Sequence, residues 1–191
     1  MPENIIQVNE QDEIIGPIDR LVAHKNDGIL HRGLMVLVKN KQNEILLTQR
    51  SETRPDLDFP PPFPGFWDIT MAGHPRWGQN DYVTQMAVEL KEELRISISV
   101  NDIVYVGKFQ YHAPDPSYPN KSSPQGFRLS EFEICGVGVV ETDQKPQLNE
   151  IELQNSLWLS GKELSRTLLE KHFKMAPWAL IMLREFQTIT E

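Results

Sequence analysis

The chain has a single cysteine, Cys135, among its 191 residues, which excludes an intrachain disulfide and suits a reducing, cytoplasmic setting. It has no long apolar run, so no membrane-spanning helix is expected. Its opening, MPENIIQVNEQDE, is too acidic and too broken for a signal peptide. Positive charge is scarce as well: 19 Lys and Arg against 27 Asp and Glu leave a net charge of -8. A nucleic-acid polymer is held by clustered cations that displace counterions, so neither nucleic acid nor membrane is an expected partner. Internal repeats and low-complexity tracts are lacking too. What is present, 39% hydrophobic residues in a chain of this length, suffices for a sizeable core. One domain over residues 1–191 is expected, as a monomer or homodimer.

Read along the chain, Ile5 to Val8 and Glu13 to Gly16 predict a short hairpin around Asn9 to Asp12, with a short helix over Ile18 to Ala23. His31 to Lys39 and Glu44 to Thr48 flank a polar turn and predict a second hairpin. Five prolines between Ser51 and Phe66 predict a stiff extended loop. A helix is expected over Asp81 to Leu94, then strands near Ile103 to Tyr111 and Phe127 to Val140. A second proline-rich loop joins those strands and either rims a pocket or is a plain connection. Helices over Gly161 to Lys171 and Pro177 to Phe186 close the chain. The pattern is α/β (α+β), an α/β/α sandwich with a mixed central sheet.

The central feature is the segment Trp67 to Ile98, which ends a strand, turns on Gly73-His74-Pro75 and enters the helix. Glu89, Glu92 and Glu93 stand at i, i+3 and i+4 and so share one helix face. Val83, Met86, Ala87, Leu90 and Leu94 form a separate apolar stripe. Clustered carboxylates are what a hard cation such as Mg2+ selects, and Mg2+ is readily shared with phosphates. The same spacing equally describes a solvated acidic face.

From Gly73 to Ile96 these residues resemble the Nudix box. Glu89, Glu92 and Glu93 fall on the family's metal-binding glutamates, Leu90 and Ile96 on its aliphatic positions, and Gly73 on its leading glycine. Gln79 stands where the first glutamate belongs, Val88 replaces the arginine, Arg95 replaces the late glycine, and one residue is inserted. Losing the glutamate and the arginine together removes a charge pair without stranding either charge. The resemblance implies the Nudix fold, with 67–98 as the box region.

Beyond the box the chain resembles the isopentenyl diphosphate isomerase branch of this superfamily over nearly its whole length. That resemblance implies a second divalent-metal site built from His24, His31, His74, Glu131 and Glu133, its first histidines supplied around an N-terminal extension, 1–30. Glu131 and Glu133 are two apart, so in a strand both leave one face. Glu150 and Glu152 make another such pair outside the alignment and read as solvated. The isomerases carry a catalytic cysteine immediately before the Gly-His-Pro turn, where this chain has Ala72. A methyl group moves no proton, so isomerisation by that route lacks one partner. Glu133 and Tyr111 match the residues opposite the missing cysteine, and Cys135 does not replace it.

The implied activity is therefore Mg2+- or Mn2+-dependent hydrolysis of a diphosphate linkage in a small molecule, a nucleoside diphosphate derivative or a related organic diphosphate. Glu89, Glu92, Glu93 and the carbonyl near Gly73 would hold the metal, with Glu92 or Glu93 as the base. Arg20 and Arg50 match basic positions that meet the diphosphate, the alternative for each being a surface salt bridge. Phe59, Phe63, Phe66, Trp67 and Trp77 either stack on a base or pack the core, with packing favoured. An isomerase with another proton donor and a non-catalytic diphosphate-binding module remain open at this level.

Overall fold

A computed structural model describes residues 4–57, 61–79, 81–117, 128–170 and 173–186. Phe59, Lys171 and most of the second proline-rich loop lie outside them. The chain opens with the hairpin β1 (Asn4–Val8) and β2 (Ile14–Asp19), in which Ile18 pairs with Ile5. Ile18 therefore belongs to the strand, and the helix expected from it, α1 (Arg20–His24), starts two residues later. Asp19 caps it by accepting from the Val22 amide at 3.0 Å. Pro17 is accommodated in β2 because that strand lies at the sheet edge, where a missing N–H strands no partner.

The sheet is organised on β3 (His31–Lys39), an almost wholly buried strand. One edge of β3 pairs in parallel with β8 (Ser130–Glu141), from His31↔Glu133 to Lys39↔Glu141. Its other edge is shared by β1 at His31, β6 (Met71–Gly73) at Leu34 to Val36, and β4 (Ile45–Arg50) at Lys39. The expected β3–β4 hairpin is thus real only at its turn. The strands then splay, and β4 pairs along its length with β5 (Trp67–Ile69) and β9 (Leu153–Leu159). The sequence pattern does not reveal β9, whose polar residues Gln154, Asn155 and Ser156 break apolar alternation. β7 (Val104–Pro114) pairs antiparallel with β8.

Alternate residues of β3 feed two cores. Leu34, Val36 and Val38 join Met86, Leu90 and Leu94 of α2 (Tyr82–Leu94) on one face. Met35 and Leu37 meet Leu164 of α3 (Gly161–Thr167) and Trp178, Ala179 and Met182 of α4 (Pro177–Glu185) on the other. Helices on both faces of a mixed sheet make the α/β/α sandwich expected from the pattern. α2 begins at Asp81, which accepts from the Thr84 amide at 2.8 Å, and ends at Arg95 in the left-handed region, φ 57°. That conformation favours glycine, the residue the box carries there.

Candidate active site

Two groups of titratable side chains meet at the turn after β6. The first is at the starts of β3 and β8. Parallel register puts His31 beside Glu133, and Glu131 lies on the same strand face. α1 delivers His24 from its last residue, because Asn26 N–H bonds the Arg128 carbonyl at 2.8 Å and ties the helix end to the chain entering β8. His74 arrives from the β6 turn. Ligand atoms of all five residues lie within 4.8 Å of one another. Gly33 makes this possible: a Cβ there would sit 1.6 Å from Glu133 Oε2.

The chemistry of this group fits a metal. Nδ1 of His24 donates to the Arg20 carbonyl at 2.6 Å and Nδ1 of His31 to the Ile29 carbonyl at 2.7 Å. Those bonds turn both Nε2 lone pairs inward, the arrangement expected of ligating histidines. His24 Nε2 and His74 Nε2 face each other at 3.2 Å. His31 Nε2, His74 Nδ1 and Glu131 Oε2 are buried without a well-formed hydrogen bond, although Glu131 Oε2 lies 2.8 Å from His24 Nε2. Buried donors and acceptors are rarely left in this state, and a central dication would satisfy the inward-facing atoms. Burial opposes charge on both carboxylates, but His24 and His74 hold Glu131 well below the usual range, and His74 and His31 lower Glu133. Burial likewise opposes charge on His74, yet Glu133 and Glu131 raise it.

The second group lines an open cavity on the other side of the same turn. Glu89 and Glu93 project from α2 towards Gly73, where a Cβ would lie 3.7 and 3.8 Å from their oxygens. Facing them are Arg20, Arg50, Arg54 and Glu152, with His74 and Ala72 at the junction with the first group. Burial, then the charges of Glu152 and Glu89, push Glu93 well above the ordinary carboxylate range against the pull of Arg50 and Arg54. The third glutamate of the helix behaves differently. Glu92 is 44% exposed and forms a two-pronged ion pair with Arg76, at 2.5 and 3.3 Å, and it is not among the cavity residues.

Glu152 is the residue that sequence reasoning missed. It is not solvated. Its Oε2 pairs with Arg54 Nη1 at 2.9 Å and its Oε1 accepts from Asn149 Nδ2 at 3.0 Å. Asn149 N–H bonds the Glu93 carbonyl at 2.7 Å and Ser51 N–H bonds the Glu152 carbonyl at 2.8 Å, so the loop before β9 is fastened to both α2 and the end of β4. Arg54, also unremarked in the sequence, lies in the proline-rich loop. A glutamate recruited by such distant contacts carries no local signal.

The other candidates divide cleanly. Tyr111 pairs with Glu133 across β7 and β8, is buried, and is absent from the cavity wall; burial and the Glu133 and Glu131 charges raise its pKa well above normal. Cys135 is buried with its thiol pKa raised by burial and by Glu133, which keeps it protonated and inert. Phe63 is fully buried, Trp67 stacks on Phe173 with centroids 5.0 Å apart, and Trp77 is exposed. Gln79 hydrogen-bonds Gln85, the buried α2 residue that also accepts from the Arg76 amide. A neutral bridge thus joins loop and helix where the box has a charged one. Among the described residues no helix is long and apolar enough to cross a membrane.

Comparison with known proteins agrees with this architecture. The chain is 28% identical over 177 residues to isopentenyl-diphosphate Delta-isomerase 1 of Photorhabdus laumondii subsp. laumondii, covering 92% of this chain and 90% of that protein. The crystal structure of DR0079 from Deinococcus radiodurans superimposes with a TM-score of 0.67 at 19% identity, over 96% of this chain and 99% of that one. The E. coli dihydroneopterin triphosphate pyrophosphohydrolase aligns with a TM-score of 0.54 at 15% identity, over 86% and 97% of the two chains. The sequence pattern of the NUDIX domain matches residues 29–179, and with that span the chain belongs to the Nudix family.

Proposed function

We propose that this protein is a divalent-metal-dependent hydrolase that cleaves a diphosphate linkage in a small molecule. The observation that carries the reading is the cavity at Gly73, where Glu89 and Glu93 face Arg20, Arg50 and Arg54. Carboxylates on one wall would hold Mg2+ or Mn2+ together with the Gly73 carbonyl, and guanidinium groups on the opposite wall suit phosphoryl oxygens. A bound dication would neutralise charge on the diphosphate and acidify an attacking water. Hydrolysis forms a bond from water oxygen to phosphorus as the bridging P–O bond breaks. The water proton passes to a carboxylate, for which Glu93 and Glu152 are the cavity candidates. Glu92, turned towards Arg76, is a weaker candidate for that role than its place in the box implied. The five-residue group would hold a second ion, its three imidazoles and two carboxylates suiting Mn2+ or Zn2+.

The test is a panel of nucleoside diphosphates, nucleoside diphosphate derivatives and prenyl diphosphates with Mg2+ or Mn2+. Release of phosphate or nucleoside monophosphate only with metal is expected. Ligand protection against thermal unfolding with no product would replace the hydrolase reading with a binding module. A second reading, isomerisation, is favoured by the complete five-residue group and the isomerase relative. Against it stands Ala72, half-buried at the cavity wall where a proton donor is required. Double-bond migration in isopentenyl diphosphate without phosphate release would decide for it.

A further inference from the structure

Behind the cavity wall lies a buried carboxylate that the proposed chemistry does not use. Asp68, the middle residue of β5, is 2% exposed. Both of its oxygens accept from Nε1–H of Trp178, at 3.0 and 2.9 Å, and its Oδ2 is 3.6 Å from Nη1 of Arg50. The Arg50 guanidinium lies over the Trp178 ring, 5.5 Å from its centroid, and its Nε donates to the Pro62 carbonyl at 3.2 Å. Pairing of β4 with β9 is irregular between Gln49 and Arg50, a type of irregularity that re-aims a side chain. Trp178 is itself immobilised, edge-on to Phe63 at 4.8 Å and against Tyr111 at 5.7 Å.

An indole N–H is satisfied by any neutral acceptor, and burying a carboxylate for that purpose alone is unfavourable. The Ile69 amide also donates to Oδ1, at 2.8 Å, and among the described residues the cationic partner of the carboxylate is Arg50. We propose that Asp68 is a positioning residue: through Trp178 and its charge it fixes the Arg50 guanidinium in the orientation that receives a diphosphate. The inference rests on the reading of Arg50 as a phosphate ligand. An arginine held in place before binding loses less rotamer freedom when the ligand arrives. Asp68 touches no substrate atom in this arrangement.

Asp68→Asn keeps an acceptor for Trp178 and removes the charge. Above about pH 8, where Asp68 is ionised, it is expected to raise KM about tenfold on any diphosphate that is turned over, with kcat changed by less than about twofold. In an Arg50→Gln background the same substitution is expected to change KM by less than about twofold, because the group it acts through is gone. An unchanged or lowered KM, or an equal rise in both backgrounds, overturns the proposal. Calorimetry with magnesium pyrophosphate measures the same coupling without turnover. If affinity falls in Asp68→Asn while no substrate is hydrolysed, the positioning role stands and the hydrolase reading does not. Turnover with pyrophosphate affinity unchanged in Asp68→Asn overturns the positioning role and leaves the hydrolase reading standing, and a wild-type protein that neither binds nor cleaves overturns both. Should Asp68→Asn fail to fold, the wild-type protein still provides a test. Magnesium pyrophosphate is expected to shift the Trp178 indole N–H resonance, identified by its loss in Trp178→Phe, and no shift overturns the proposal.

Discussion

The two groups that share the Gly73-His74 turn are built on opposite principles. His24, His31, Glu131 and Glu133 are almost fully buried and stand on or beside strand ends in a nine-pair parallel register. Their charges answer one another, and the inward atoms His31 Nε2 and Glu131 Oε2 lack a well-formed hydrogen bond. In the cavity, Glu89, Glu93 and Glu152 are balanced by three arginines from α1, β4 and the proline-rich loop. On the proposed reading the first group would be completed by an ion. The second sets carboxylates against guanidinium groups and would take a metal-bound diphosphate, so stability should depend on the first and turnover on the second.

The largest expected effect tests the cavity. Glu93→Gln should lower kcat about a thousandfold, close to 4 kcal/mol of barrier, while leaving the unfolding midpoint no lower than wild type. The midpoint should hold because burial and the charges of Glu152 and Glu89 already disfavour the Glu93 carboxylate. Wild-type turnover in that variant would remove Glu93 from the proposed chemistry. Its counterpart is Glu131→Gln, which strips the carboxylate facing His24 and His74 and should cost about 3 kcal/mol in denaturant unfolding. If the two variants were equally stable, the contrast between the groups would collapse.

A third expectation concerns Gly33. Gly33→Ala must displace the flexible end of Glu133, so the fold should survive while metal affinity drops about ten- to a hundredfold, read by competition with a chelating dye. Unaltered affinity would mean that Glu133 does not hold the ion. Asp68 provides a pH test. Burial, opposed by Arg50 and Trp178 and reinforced by Glu133, pushes its pKa up from 3.8 to about 7. The folded state therefore binds its proton more tightly than the unfolded chain. The stability this contributes is complete below about pH 4 and is lost as pH rises through about 7. The stability of wild type relative to Asp68→Asn should fall across that window, and a flat difference would contradict the shift. The smallest effect is at the end of α2, where Arg95→Gly should stabilise the protein by about 1 kcal/mol by relieving the left-handed backbone.

Much of this molecule is legible from local pattern. The apolar stripe of α2, the buried run of β3 and the pair Glu131 and Glu133 follow from periods of 3.6 and 2 that every helix and strand obeys. The three histidines emerge through a family resemblance, and the fold brings all of them to one centre with the two glutamates. Strand β9 is not legible, since what recruits it is the free edge of β4 and not an alternation of its own. Ile18 reads as helical because Leu21 and Val22 follow it at i+3 and i+4, whereas pairing with Ile5 claims it for the sheet.

The same division runs through the candidate site. Spacing along α2 is enough to place Glu89, Glu92 and Glu93 on one side of a helix, because side-chain direction there depends only on the turn angle. Glu89 and Glu93 face the cavity, whereas Glu92 is turned to the ion pair with Arg76, which also approaches Glu89 at 3.6 Å. Glu152 enters through hydrogen bonds from Asn149 to Glu93 and from Ser51 to Glu152 itself. Asp68 meets Arg50 and Trp178 through strand pairing and core packing. These contacts join residues far apart in the chain. No spacing rule encodes them, because their geometry exists only once the sheet has brought its strands together.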